Sequence, residues 1–228
     1  MKIAIMSAMQ EELTPLLEKF KHYGVKEYAN NKYYFATYKH FEVILAYSKI
    51  GKVNAALTAS TLIQKYGAES LLFSGVAGSL NEELKIGDLI AGTSLVQHDL
   101  DITAFGHPYG FVPESKVFVE ADKALVNIAR DVAKSAAIEL KNGVIATGDQ
   151  FVCDNAKKEW IRKTFSADAV EMEGASVAFV CDSLNIPFFI LRAISDGAGA
   201  GADFDFDTFL ASSSKVSADF IISMLDKM

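Results

Sequence analysis

Short apolar runs alternate with amphipathic stretches along most of the chain. Lys2–Ser7 reads as a buried strand. Gln10–Phe20 reads as a helix with Glu11 and Glu12 in its first turn, where the helix dipole favours acids. Tyr33–Tyr38 and Glu42–Tyr47 have the pattern of a hairpin turning at Lys39-His40. A helix is predicted from about Val53 to Tyr66, with Val53, Ala56, Leu57 and Ile63 on its apolar stripe. Ser70–Phe73 is a short strand that runs into a glycine-rich loop, Ser74–Ser79. Asp88–Val96 is a strand, Gln97–Ser115 an irregular segment, Ala121–Ala137 a helix and Gly143–Thr147 a strand. Gly174–Leu184 is a helix and Pro187–Ile194 a buried strand. Phe206 to about Met224 closes the chain as a helix, with Phe206, Phe209, Leu210, Phe220, Ile221 and Met224 on one stripe. No repeat, linker or charge block divides the chain, so the pattern predicts one α/β domain, a mixed central sheet covered by helices.

Ala169–Ala175 stands out because two acids interrupt small apolar residues. If the stretch is extended, Glu171 and Glu173 point one way and Met172 the other. Burying both acids costs desolvation energy unless each has partners. A sugar diol is one natural partner, since a carboxylate accepts from two neighbouring hydroxyls. A strand end whose acids face water or pair with Arg192 fits the same residues. Glu12 and Asp196 also fall at or just beyond predicted strand ends, where open α/β sheets bind ligands. For Glu12, complementing the helix dipole is the simpler account.

The remaining local signals are open. Ser74–Ser79 matches neither the dinucleotide fingerprint nor the P-loop, and reads as a tight turn or a close backbone approach to a ligand. Phe151 suits stacking on a flat ligand or core packing. His98 and Asp99 have no second histidine at ligand spacing, so no metal is expected. Three acids without a Ser-His-Asp pattern point towards cleavage of a glycosidic bond.

Composition narrows the classes. A chain of 228 residues that is 50% hydrophobic has enough material for one large core. A net charge of -7 argues against nucleic-acid binding. Cys153 and Cys181 lack a CxxC spacing, which suggests a reducing compartment and no disulfide framework. Gln10, Glu11 and Glu12 cut short the apolar start, and no apolar run is long enough to cross a bilayer. A soluble cytoplasmic protein is expected.

Several motifs together resemble bacterial 5′-methylthioadenosine/S-adenosylhomocysteine nucleosidases. They are the opening Met1–Glu12, Ser-Gly-Val-Ala-Gly at Ser74–Gly78, Thr-Gly-Asp-Gln-Phe-Val at Thr147–Val152, Val-Glu-Met-Glu-Gly-Ala at Val170–Ala175, and Arg-Ala-Ile-Ser-Asp at Arg192–Asp196. They run in order over nearly the whole chain. The resemblance implies a nucleoside phosphorylase-like fold, a distorted barrel of mixed sheet surrounded by helices, in a homodimer without a cofactor. It implies Asp196 as the acid that protonates adenine N7, held by Ser195, and Glu12 as the residue that activates water, with Arg192 nearby. Glu173 would bind the ribose hydroxyls, Met172 would pack against the ribose, and Glu171 belongs to the same cluster. Phe151 would stack on adenine, with the Val152 backbone at its edge, and Ala77 and Gly78 also belong to the substrate-binding set. Met9, Ile50 and Phe206 would line the pocket for the 5′ substituent, while Phe105 and Pro113 would reach into the other subunit's site.

Two departures are visible. Val76 stands where many members have serine, and Gly197–Ala202 replaces a more polar segment, so that loop is expected to be mobile without ligand. Gln97–Ser115 and Ser74–Gly78 most resemble a branch that also cleaves 6-amino-6-deoxyfutalosine, and 5′-deoxyadenosine is a further expected substrate. The rival readings are a phosphorylase of the same fold and a non-catalytic nucleoside-binding protein. Against the phosphorylase, no arginine precedes Arg130, and Arg130 and Arg162 fall on predicted helices away from the acids. Lys49 and Lys52 remain as possible point charges for phosphate.

Overall fold

The computed structural model describes residues 1–199 and 201–228. Its centre is β5 (Ser70–Ser79), a strand buried at every position. The predicted glycine-rich loop is therefore wrong: Ser74–Ser79 continues the strand. Gly75 and Gly78 are in ordinary extended backbone and serve as places where other side chains approach closely. On one side of β5 lies β1 (Lys2–Ser7), parallel to it and, on its other edge, parallel to β4 (Phe41–Tyr47). β3 (Asn31–Tyr38) pairs antiparallel with β4 through a turn in which Lys39 takes a positive φ, the predicted hairpin.

β2 (Gly24–Tyr28) extends the sheet beyond β3 and had no signature in the pattern, because all five of its residues are exposed. On the other side of β5 the sheet closes. β5 pairs with β10 (Phe188–Asp196), β10 with β6 (Leu89–Gln97), β6 with β8 (Leu140–Thr147), β8 with β9 (Ala169–Glu171), and β9 returns to β5. This five-strand mixed barrel belongs to one sheet, ten-stranded among the described residues, with β7 (Phe118–Glu120), also unforeseen, paired to β6.

Among the described residues six α-helices surround the sheet. α1 (Gln10–Leu17) ends a turn sooner than the predicted helix. α3 (Lys123–Ala136) and α4 (Asn155–Phe165) start on Asp122 and Asp154, whose carboxylates cap Leu125 and Lys157. α2 (Lys52–Ser60) passes into a π-helical turn at Thr61–Lys65. Of its predicted stripe, Ile63 is buried and Ala56 half-buried, but Val53 is 79% and Leu57 50% exposed. The buried face is Ala55, Thr58 and Ala59, packed on α5 (Gly174–Ser183), whose own buried face begins Gly174, Ala175 and Ser176. Small residues let the two helices approach closely and leave the larger ones outside.

α6 (Ala202–Lys227) begins before the predicted start. Phe220, Ile221 and Met224 are buried as expected, but Phe206, Phe209 and Leu210 are only partly covered. Serines form its middle contact. Ser213 Oγ donates to the Ile194 carbonyl at 3.1 Å, and Ser217 Oγ lies 2.9 Å from Ser74 Oγ. These bonds fix α6 against the end of β10 and the middle of β5. Of the Gly197–Ala202 segment, Ala200 lies outside the described residues. Among the described residues no helix is long and apolar enough to cross a membrane.

Candidate active site

The carboxyl ends of β1, β5, β9 and β10 meet at a cavity of about 310 Å³, within the range of small-molecule sites. Glu12 enters it from the first turn of α1. Its side chain folds back over the helix start, so that Oε2 accepts the N–H groups of Ala8 at 2.7 Å and Met9 at 3.0 Å. Oε1 accepts the Val76 N–H at 2.9 Å. Glu12 thus caps the helix and also reaches the cavity. Gly75 makes room for it, since a Cβ there would stand 2.9 Å from Oε1. Burial raises the Glu12 pKa despite the Arg192 charge and three backbone donors.

Asp196 ends β10 opposite Gly78 of β5, next to a shift in register. Such irregularities re-aim a side chain at a strand end. Oδ1 accepts the Ala198 N–H at 2.8 Å, and Oδ2 accepts from Ser195 Oγ at 2.9 Å. Burial raises the Asp196 pKa against both of these bonds.

The stretch after β9 is not extended as far as expected. β9 stops at Glu171, and Glu173 is already the N-cap of α5. The predicted alternation therefore fails: Glu171, Met172 and Glu173 all line the cavity. Glu171 and Glu173 then divide the two readings of the sequence. Glu171 Oε2 accepts from Arg192 Nη2 at 2.6 Å, Thr147 Oγ1 donates to Oε1, and the Gly174 N–H bonds to both oxygens at 2.7 and 2.9 Å. Its acceptor positions are occupied by the protein. Glu173 has far fewer partners. Oε1 accepts the Gly51 N–H at 2.8 Å, and its pKa is raised by burial and then by the neighbouring Glu171 charge.

Arg192 corrects one expectation, because it does not line the cavity. It is 1% exposed, sits over the Phe73 ring, and donates from Nη1 to the Leu191 carbonyl at 3.1 Å. It lies behind the acids, bound to Glu171 and close enough to Glu12 to act on its charge.

The walls are mostly apolar. Met9, Ile50, Val76, Ala77, Gly78, Phe151, Val152 and Phe206 all line the cavity. Phe151 meets Phe206 edge to face, with centroids 5.7 Å apart. Ala8, Gln150 and Val170 also line the cavity without having been singled out. Gln150 and Val170 lie inside recognised motifs, and Ala8 lies in the short connection before α1, so their positions were available as signals. Phe105 and Pro113 are exposed and do not touch this cavity. Among the described residues no group of three or more His, Cys, Asp or Glu is arranged to hold a metal.

The comparisons agree with this geometry. The phosphorylase superfamily model matches residues 2–226. The aminodeoxyfutalosine nucleosidase of Campylobacter jejuni is 60% identical over the full length of both chains. A 5′-methylthioadenosine/S-adenosylhomocysteine nucleosidase of a Geobacillus strain is 39% identical, covering 100% of this chain and 99% of that one. The futalosine hydrolase structure of Helicobacter pylori superposes with a TM-score of 0.99 at 49% identity, covering 100% of this chain and 98% of that one. The chain belongs to the phosphorylase superfamily, and within it to the 5′-methylthioadenosine/S-adenosylhomocysteine and aminodeoxyfutalosine nucleosidases, hydrolases of the N-glycosidic bond.

Proposed function

We propose that this nucleosidase hydrolyses the N-ribosidic bond of 5′-methylthioadenosine, S-adenosylhomocysteine, 5′-deoxyadenosine and 6-amino-6-deoxyfutalosine, releasing adenine. The observation that carries the reading is the meeting of Glu12, Glu173 and Asp196, each buried, on one cavity with an aromatic wall. The relatives named for aminodeoxyfutalosine, at 60% and 49% identity, support that substrate.

Each acid has a separate task. Asp196, with a raised pKa, holds its proton further into the working range and delivers it to adenine N7. The C1′–N9 electron pair leaves with the protonated base. Glu12 orients a water, whose oxygen bonds to C1′ and whose proton passes to the carboxylate. The raised Glu12 pKa makes it a better base than a solvated glutamate. The free positions of the Glu173 carboxyl group bond to the 2′ and 3′ hydroxyls.

The remaining residues place the substrate. Phe151 stacks on the base, the Val152 backbone meets its edge, and Ala77 and Gly78 border it. Met172 packs on the ribose, and Met9, Ile50 and Phe206 surround the 5′ substituent. Glu171 and Arg192 act from behind: the ion pair holds the start of α5 and supplies positive charge near Glu12. We place the protein in the cytoplasm as a homodimer of one-domain chains. The exposed Ile50, Val53, Leu57 and Phe105 supply apolar surface for the contact, with Phe105 and Pro113 directed towards the other subunit's site.

Product analysis with methylthioadenosine, adenosylhomocysteine and aminodeoxyfutalosine in parallel tests the substrate assignment. Adenine from all three is expected. Release from methylthioadenosine and adenosylhomocysteine but not from aminodeoxyfutalosine would remove that substrate, and release from none would remove the reading.

A further inference from the structure

Two neighbouring amides divide their bonds between the two sides of the cavity. The Gly51 N–H goes to Glu173 Oε1 at 2.8 Å, and the Lys52 N–H goes to Asp149 Oδ1 at 2.8 Å. Asp149 begins the loop whose next residues, Gln150, Phe151 and Val152, form the aromatic wall. The Asp149 N–H donates to Asp99 Oδ2 at 2.9 Å. The other oxygen of Asp99 accepts from Lys52 Nζ at 2.7 Å, and Lys52 Nζ also lies 3.2 Å from Gln97 Oε1. Lys52, Asp149 and Asp99 therefore form a closed ring across three segments: the start of α2, the loop after β8 and the segment after β6.

Several features mark the ring as built. Among the described residues α2 has no side-chain cap of its own and no acid in its first turn, so the Asp149 carboxylate caps it from another segment. Gly51 has φ +99, where a side chain is strained, and a Cβ there would stand 3.1 Å from Asp149 Oδ1. The Lys52 and Asp99 side chains are 18% and 17% exposed, which protects the pair from much of the screening that weakens surface ion pairs. Beneath the loop, His98 packs so closely under Gly148 that a Cβ there would collide with its ring. The loop is held from inside by packing and from outside by the ring.

We propose that Lys52, Asp99 and Asp149 form a positioning cluster that couples the Glu173 carboxylate to the Phe151 wall, fixing the sugar-binding and base-binding halves of the site relative to each other. The proposal rests on the nucleosidase reading given above. None of the three residues lines the cavity, so each acts through Gly51 or through the 148–152 loop.

The test compares Lys52→Met, Lys52→Arg and Asp99→Asn with the wild-type protein by amide exchange and by methylthioadenosine kinetics. In Lys52→Met the proposal predicts at least about tenfold faster exchange across residues 148–152, although the changed residue lies on another segment. It predicts KM raised about tenfold or more with kcat within about threefold, and recovery of most of the KM in Lys52→Arg. A merely structural role would lower the active fraction, and with it the apparent kcat, while leaving KM in place. Exchange at 148–152, or KM, within twofold of wild type in both Lys52→Met and Asp99→Asn would overturn the proposal. If Lys52→Met does not fold, Asp99→Asn opens the same ring from its other side. If the wild-type protein releases no adenine, the nucleosidase reading fails, and exchange alone decides whether the ring couples the two segments.

Discussion

Gly78 and Asp196 share one space: a Cβ on Gly78 would stand 2.6 Å from Asp196 Oδ1 and 2.8 Å from the Ala198 Cβ. The two residues are opposite each other across β5 and β10, so the strand cannot easily move aside. Gly78→Ala should displace the carboxylate and lower kcat by at least about tenfold, with an overpacking cost of about 1–3 kcal/mol. Gly24, on the exposed edge strand, has nothing within 4 Å of such a Cβ, and Gly24→Ala is the control. Turnover and thermal melting of both variants check this. Unchanged kcat in Gly78→Ala would show that the space is not critical.

Asp196→Asn keeps the size of the side chain and removes its proton. Its kcat should fall about 10²–10⁴-fold, the usual worth of general acid catalysis. Circular dichroism should report an intact fold. Near-normal turnover in the folded variant would remove Asp196 as the proton donor.

Glu173 links function to stability. Its folded pKa is raised above the ordinary 4.5 by burial and by Glu171. A raised carboxylate pKa contributes stability below the unfolded value, and that contribution is lost as pH rises through the folded value. Glu173→Gln removes the penalty, and the amide oxygen can still accept the Gly51 N–H. Without ligand, the variant should melt several degrees above wild type at pH 8, with the gap closing towards pH 4.5. Its KM should rise, because an amide binds the diol more weakly than a carboxylate. Identical melting curves at both pH values would contradict the assignment.

His98 acts in the opposite direction. Burial lowers its pKa from 6.5 to about 4, and both ring nitrogens are buried with no hydrogen-bond partner among the described residues. The depressed folded value means that stability present above pH 6.5 is lost as pH falls towards 4. His98→Leu should flatten this part of the stability curve, measured by denaturant unfolding at several pH values. An unchanged slope would place the proton uptake elsewhere.

Much of the site was legible because its residues lie in short local motifs at strand ends. Glu12, Glu173 and Asp196 needed only the strand and helix pattern to be placed near one another, and the cavity brings them together. Pairings between distant segments were not legible. Nothing local distinguishes Glu171 from Glu173; the partnership of Glu171 with Arg192 and Thr147 decides which acid is occupied. Local glycine content suggested a loop at Ser74–Ser79, whereas acids arriving from α1 and β10 require glycine inside a strand. On α2, and on α6 before Phe220, the buried positions are alanine, threonine and serine, which carry little weight in hydrophobic periodicity. The edge strand β2 buries nothing and so carried no pattern.

The central claim is that water, and not phosphate, attacks the sugar. A phosphorylase must hold a dianion beside C1′, yet Arg192 is bound to Glu171, Lys52 to Asp99, and Lys49 Nζ to the Asn30 carbonyl at 2.9 Å. The Glu12 carboxylate on the cavity would repel such an anion once ionised. The most direct measurement is adenine release from methylthioadenosine in phosphate-free buffer and in added phosphate, with identification of the sugar product. Equal rates with free methylthioribose in both are predicted. Strict dependence on phosphate, with a sugar 1-phosphate as product, would contradict the account.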